Sequence, residues 1–152
     1  MKNGSRAIIE VQEFPIVKTI QVEGITKVKP ERIKAAMLTR EGDVYNPQNI
    51  YGDVDRIQKM LAHEGYPFTK VIDGKFDGAN LVLRILEPKI ERIVVSGNKK
   101  TKSSVVLREM RLKKGEIYDN QKMIKSMQNI KNLGFFSDVE PKFSCEALWT
   151  IP

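Results

Sequence analysis

Few residues in this chain have the types and spacing that catalysis or metal binding requires. His63 and Cys145 are the only histidine and the only cysteine, so neither an intrachain disulfide nor a Cys/His zinc site is expected. Asp53 and Asp55 form a carboxylate pair of the kind that serves acid–base chemistry. They fall on a predicted helix whose apolar stripe points elsewhere, which favours a solvated surface over a catalytic site.

The common catalytic motifs are also missing from the sequence. No glycine-rich phosphate loop leads into Lys-Ser or Lys-Thr, and no nucleophile elbow is present. We therefore predict that the chain is not an enzyme, that it needs no cofactor or metal, and that its function is binding.

The elements that would position a binding site follow an internal repeat. Ile20-Gln-Val-Glu-Gly24 is matched by Ile93-Val-Val-Ser-Gly97, and Gly42 by Gly115, each 73 residues later. Gly65 is matched by Gly134 after 69 residues. A repeat of this length is the size of a small domain rather than of a solenoid unit.

Each repeat is predicted to fold as strand, helix, helix, strand, strand. Apolar alternation and turn signals place the strands of the first repeat at 17–22, 68–72 and 81–86, and helices start near Pro30 and Asn46-Pro47. The second repeat copies this order, with strands at 90–95 and around 136–143, and helices capped near Ser103 and Asp119. The first repeat has four more residues between its glycines, about one helical turn, so its second helix should be longer.

Residues 90–143 carry the most specific motifs: Ile-Glu-Arg-Ile-Val-Val-Ser-Gly-Asn-Lys-Lys-Thr, then Val106 to Gly115, then Asn132-Leu-Gly-Phe-Phe-Ser-Asp-Val139. This pattern resembles the membrane-proximal POTRA (polypeptide-transport-associated) domains of BamA-type outer-membrane assembly proteins. The first repeat is similar to the long-helix POTRA variant, and the resemblance covers nearly all of residues 16–143. It implies an α+β fold of two tandem βααββ domains, each a three-stranded mixed sheet covered on one face by two helices.

The resulting domain prediction has three parts. Residues 1–14 are the last strand of a preceding POTRA repeat that is absent from the sequence, 15–88 are the long-helix domain, and 89–152 are the membrane-proximal type. Residues 144–152 resemble no POTRA strand, so the last strand is interpreted as truncated or non-native. The strand at 6–13 of one molecule is then a candidate to fill the gap in another, which gives a hypothesis of strand-swapped self-association.

The resemblance also implies a function and a location. Such domains form the periplasmic arm of an outer-membrane protein with a C-terminal β-barrel, receive unfolded outer-membrane proteins and dock assembly lipoproteins. We expect clients to bind by adding a strand to a sheet edge, because backbone hydrogen bonds accept many sequences. The candidate edges are Phe68, Thr69, Lys70, Val71 and Ile72 in the first domain, and Phe136, Ser137, Asp138, Val139 and Glu140 in the second.

Other motif residues are given a structural role. Glycines are expected to allow positive φ after strands and helices, and the aromatic residue after each second helix is expected to anchor the next strand in the core. These positions are Gly24, Gly42, Gly65, Tyr66, Gly97, Gly115, Gly134 and Phe135.

Two alternatives stay open at the level of sequence. The first is a POTRA pair from a two-partner secretion or translocation transporter. The second is a basic α/β nucleic-acid-binding domain, because residues 89–152 carry a net charge of +6 and residues 1–88 only +1. The excess forms a basic patch of Lys99, Lys100, Lys102, Arg108, Arg111, Lys113 and Lys114. Nucleic acid is not expected as a partner, because no stacking aromatics are interleaved with these lysines.

Overall fold

The computed structural model describes residues 9–11 and 13–144 and divides the chain into two compact units. Unit 1 is Met1–Glu87 and unit 2 is Pro88–Pro152. The fold is α+β, as the sequence predicts. Half of the strand predicted at 6–13 lies outside the described residues, and residues 9–11 and 13 form no strand.

Unit 1 contains a three-stranded mixed sheet in the order β1-β3-β2. The strands are β1 (Thr19–Glu23), β2 (Lys70–Phe76) and β3 (Asn80–Leu86). β3 pairs parallel with β1 and antiparallel with β2. It is central because Leu81, Leu83 and Ile85 alternate along it and are at most 2% exposed.

Two helices pack against this sheet. α1 (Pro30–Ala36) contacts β1, and α2 (Pro47–His63) contacts β2. The Asn46 side chain caps α2 by accepting a hydrogen bond from the N–H of Gln48. Ile50, Ile57 and Leu61 form the buried face of α2 and complete the core under β3.

The described part of unit 2 repeats the two helices. α3 (Ser103–Glu109) and α4 (Asn120–Asn132) follow the predicted order, and Asp119 caps α4. α2 has 17 residues and α4 has 13, so the prediction of one extra turn in the first repeat is confirmed. Within residues 88–144 no strand forms, and the only pairing is an isolated bridge between Lys89 and Ile117.

Among the described residues, the segments predicted as strands at 90–95 and 136–143 are not assigned to a strand. In unit 1 both outer strands bond to β3, so each depends on the central strand for its ladder. Shifted by the 69 residues that separate Gly65 from Gly134, the counterpart of β3 starts at residue 149, outside the described residues. The residues that would take the central position therefore lie outside the part of the chain that the structure describes.

In each unit, a side chain of the second helix accepts hydrogen bonds from backbone N–H groups that follow the first helix, a contact called the clamp below. The buried carboxylate of Asp53 accepts hydrogen bonds from the N–H groups of Leu38 and Thr39. Ser126, at the equivalent position 73 residues later, accepts one from the N–H of Arg111 at 2.8 Å. Asp53 is 1% exposed, so the prediction that it belongs to a solvated face is wrong, and its role is to satisfy buried amides.

Candidate strand-binding edge

β2 forms one of the two edges of the unit 1 sheet, on the strand that follows α2. Val71 and Phe76 face the core, whereas Lys70, Asp73 and Lys75 are exposed. The pairing with β3 shifts at Ile72, an irregularity that leaves this side chain 54% exposed. The edge therefore presents charges at both ends and one apolar side chain between them.

The structure moves the start of the candidate edge to Lys70. Thr69 is 2% exposed, and its N–H donates to the carbonyl of Tyr66 at 3.2 Å. Its own carbonyl accepts a hydrogen bond from the Gln58 side chain. Phe68 and Thr69 precede the strand, so the prediction that they belong to the free edge is corrected.

The hydrogen-bond pattern identifies which backbone groups of β2 face outward. The N–H of Asp77 donates to the carbonyl of Asn80, so these two residues form a bonded pair at the hairpin end. Bonded and non-bonded pairs alternate along an antiparallel ladder. The N–H and C=O groups of Gly74 and Phe76 consequently point away from β3, where an added strand would reach them.

The inner face of β2 packs against the core. The ring of Phe76 stacks on Tyr45 with 4.0 Å between centroids. A Cβ built on Gly74 would lie 3.4 Å from Leu83 Cδ2 and 3.8 Å from Ile50 Cγ2, which is ordinary contact. An alanine would therefore fit at Gly74, and this allows a mild control substitution at the centre of the edge.

The opposite edge of the sheet is blocked by a side chain. Glu41 Oε1 accepts a hydrogen bond from the N–H of Ile20 in β1 at 3.0 Å, and Lys34 Nζ lies 3.3 Å from the same oxygen. The bond from Ile20, followed by that from Lys34, lowers the pKa of Glu41 below its usual 4.5. A carboxylate thus occupies a position that an added strand would need on β1.

The predicted second edge, Phe136 to Glu140, lies along a groove in unit 2. This groove runs between residues 90–98 and 135–143, over apolar side chains of α3 and α4. Phe135 is 66% exposed, so it does not anchor a strand in the core, whereas Tyr66 packs against the core of unit 1. The sequence analysis does not identify the side chains that line this groove.

The basic patch divides into two clusters at opposite ends of α3. Lys99, Lys100 and Lys102 lie before the helix, and Arg111, Lys113 and Lys114 lie after it. Seven residues of helix separate them by about 10 Å. Arg108, on the helix, pairs with Glu109 at 3.5 Å. All of these cationic residues are exposed.

The structural glycines adopt the backbone conformation that the sequence predicts. Gly24, Gly42, Gly65, Gly97, Gly115 and Gly134 all have positive φ. The residue that the sequence reasoning missed is Glu41, whose replacement by Lys114 in the second repeat is a visible signal. Because Lys114 carries the opposite charge to Glu41, the hydrogen bond that the Glu41 carboxylate accepts cannot be repeated in the second domain.

The described residues contain neither a helix long and apolar enough to span a bilayer nor a cluster of three metal-ligating side chains. The arrangement that stands out among them is one open sheet edge and one capped edge. Open sheet edges in other proteins bind extended peptides through backbone hydrogen bonds.

Comparison with known proteins identifies relatives over most of the chain. The chain is 28% identical over 146 residues to the outer membrane protein assembly factor BamA of Neorickettsia risticii (strain Illinois), covering 91% of the chain and 19% of BamA. It spans less than a fifth of the length of the BamA relatives it matches.

Solved structures show the same fold. The N-terminal domain of Omp85 from Thermosynechococcus elongatus superposes with a TM-score of 0.68 at 19% identity, over 84% of this chain and 58% of that one. CdiB from Acinetobacter baumannii gives 0.62 at 19% identity, over 82% and 25%. The profile of the family "POTRA: Surface antigen variable number repeat" matches residues 15–87 and 88–147. The chain belongs to the POTRA family and carries two BamA-like POTRA domains in tandem.

Proposed function

We propose that this POTRA pair is part of the periplasmic arm of an outer-membrane protein and holds unfolded outer-membrane proteins by adding their strands to β2. The observation that supports this most is the difference between the two sheet edges. Glu41 covers the N–H of Ile20 on β1, whereas Gly74 and Phe76 leave backbone groups turned outward on β2. The sheet thus has a single receptive edge.

The chemistry of this edge suits many different clients. An added strand gains main-chain hydrogen bonds to β2 regardless of its sequence. Lys70, Asp73 and Lys75 keep the edge charged, which discourages permanent pairing between two copies of the sheet. Binding is expected to be weak and reversible, as a carrier of unfolded chains requires.

A proline scan with an alanine control tests the proposal. Gly74→Pro removes an outward N–H and places a ring where the client strand would dock, whereas Gly74→Ala adds only a methyl group that the core accommodates. The probe is a fluorescent nine-residue peptide of alternating valine and threonine, followed by anisotropy. We expect at least about tenfold weaker binding for Gly74→Pro and binding near that of the parent for Gly74→Ala.

Circular dichroism supplies the control for folding. Lys75→Pro removes an N–H that faces β3, so it should disturb the sheet itself, whereas folded Gly74→Pro protein should keep its spectrum. Equal peptide affinity in parent and folded Gly74→Pro protein would overturn the proposal.

The accompanying roles are proposed on the same basis. Assembly lipoproteins would dock on the exposed surfaces of the two domains, and a membrane β-barrel would follow in the full protein. The basic residues of unit 2 give the nucleic-acid alternative its own test. We expect no salt-dependent shift of duplex DNA in a mobility assay, and a shift that weakens steeply with salt would favour that alternative.

A further inference from the structure

Gly74 lies in the middle of β2, where neither backbone conformation nor packing requires a glycine. Its φ lies outside the left-handed region, and a Cβ built on it would make only ordinary contacts. Gly24 is different, because its φ is +80° and a Cβ would lie 2.1 Å from the carbonyl oxygen of Ile85. Glycine within a strand weakens the strand relative to alanine, and it often marks a place where another chain approaches closely.

The space that a side chain at Gly74 would fill has an apolar floor. Gly74 is two residues from Phe76, so both positions lie on the face of β2 that is turned toward the helices. The nearest atoms to a Cβ at Gly74 are Leu83 Cδ2 at 3.4 Å and Ile50 Cγ2 at 3.8 Å. Both side chains belong to the buried core, and Ile50 lies in the first turn of α2.

Tyr51, the next residue of α2, is 79% exposed and takes no part in the core. It lies on the side of α2 that faces the β2 edge. Gln58, two turns later on the same face, donates from Nε2 to the carbonyl of Thr69, directly before β2. Asp53 points the other way, toward the N–H groups that follow α1.

The direction of β2 places Tyr51 level with Gly74. Thr69 contacts Gln58 near the end of α2, whereas the Gly74 position contacts Ile50 near its start, so the strand runs back along the helix. Tyr51 and Gly74 consequently flank the same stretch of the open edge. An exposed ring and an unneeded glycine lie together where a client strand would dock.

We propose that the space between Gly74 and Tyr51 binds an aromatic side chain of the added strand. This inference rests on the proposed addition of client strands to β2 and names the residue type that the edge prefers. The N–H and C=O of Gly74 point outward, so a residue directly opposite would exchange both hydrogen bonds with it in an antiparallel arrangement. Directly opposite side chains share a face, so the client side chain would lie over Ile50 and beside Tyr51.

A flat ring suits this space because glycine leaves room for it. An aromatic side chain opposite a glycine of an edge strand can lie across the bare backbone and cover it. The ring of Tyr51 then offers an aromatic contact on the helix side. On the other face, Asp73 and Lys75 are exposed and favour polar client residues. The preferred segment therefore alternates polar and apolar residues, as the strands of membrane barrels do, with an aromatic residue at its centre.

Fluorescence anisotropy with three nine-residue peptides tests the preference. The first alternates valine and threonine and begins with valine, and the second has phenylalanine in place of the central valine. We expect the second to bind the parent protein at least about fivefold more tightly. The third has phenylalanine in place of the fourth residue, so its ring lies on the outer face. It should bind within about twofold of the first.

Two variants test the residues that form the space. Gly74→Ala fills part of it, and Tyr51→Ala removes the ring on the helix side. Each should reduce the ratio between the affinities of the second and first peptides from about fivefold to below about twofold. Arg56→Ala is the matched control, because Arg56 is exposed on α2 but lies about 140° around the helix from Tyr51. It should keep the full ratio.

Photocrosslinking locates the ring directly. The second peptide is made with p-benzoylphenylalanine at its centre, irradiated with the parent protein and analysed by mass spectrometry. We expect attachment chiefly at Ile50 or Tyr51, because these side chains would lie against the ring. Attachment chiefly outside α2 would overturn the aromatic site.

The aromatic site is also wrong if the first and second peptides bind the parent equally, or if Tyr51→Ala keeps the fivefold ratio. Gly74→Pro separates these failures from failure of the edge itself. If folded Gly74→Pro protein binds both peptides more weakly than the parent does, strand addition to β2 stands even where the aromatic preference is absent. If it binds both as the parent does, strand addition to β2 is overturned and the aromatic site with it.

Discussion

Glu41 Oε1 accepts a hydrogen bond from the N–H of Ile20 at 3.0 Å and thereby covers the outer edge of β1. A sheet with two free edges pairs readily with other sheets, and an added strand at either side would compete with the client. Because the Glu41 carboxylate covers the β1 edge, an added strand would pair with the unit 1 sheet only at β2.

The Glu41 cap should be lost in acid. The hydrogen bond from Ile20 lowers the pKa of Glu41 below 4.5, so the ionised form is favoured in the folded state. The stabilisation is then fully present above pH 4.5 and is lost as the pH falls through the lowered pKa. The amide resonance of Ile20 should titrate with a midpoint below 4.5 in NMR spectra. Glu41→Gln should remove this titration, and an unchanged curve would contradict the assignment.

Asp53 and Asp55 should differ sharply in their effect on stability. Asp53→Ala leaves the buried N–H groups of Leu38 and Thr39 without their acceptor, so we expect a loss of about 3 kcal/mol. Asp55 is exposed and pairs with Lys59 at 2.7 Å one helical turn away, so Asp55→Ala should cost under about 0.5 kcal/mol. Urea unfolding of the two variants provides the measurement, and similar losses would refute the role of the clamp.

Asp53 and Asp55 also show where sequence reasoning succeeds and where it fails. The caps Asn46 and Asp119 and the relative lengths of α2 and α4 depend on local chemistry, so the sequence predicts them. The role of Asp53 depends on amides 14 and 15 residues away, which no helical periodicity reveals. The two-residue spacing of Asp53 and Asp55 suggests a surface pair. Only the position of the segment that holds Leu38 and Thr39 shows that Asp53 is buried.

The second sheet illustrates the same dependence on residues far along the chain. Alternation in residues 90–95 and 136–143 reports the ability to form strands, but a strand exists only when another strand completes its hydrogen bonds. The order β1-β3-β2 makes both outer strands of the unit 1 sheet depend on β3, and the counterpart of β3 in unit 2 lies outside the described residues. The candidate edge at Lys70–Phe76 could be predicted from the repeat, but the cap on β1 could not.

Alanine at the two equivalent glycines should give different losses of stability. Gly97→Ala should cost roughly 1–2 kcal/mol, because φ is +84° but the space around a Cβ is empty. Gly24→Ala carries the same strain and also places a Cβ 2.1 Å from the carbonyl oxygen of Ile85, so its cost should be clearly larger. Thermal unfolding of dilute, monomeric protein measures both. Equal losses would mean that the open space beside Gly97 is not present in solution.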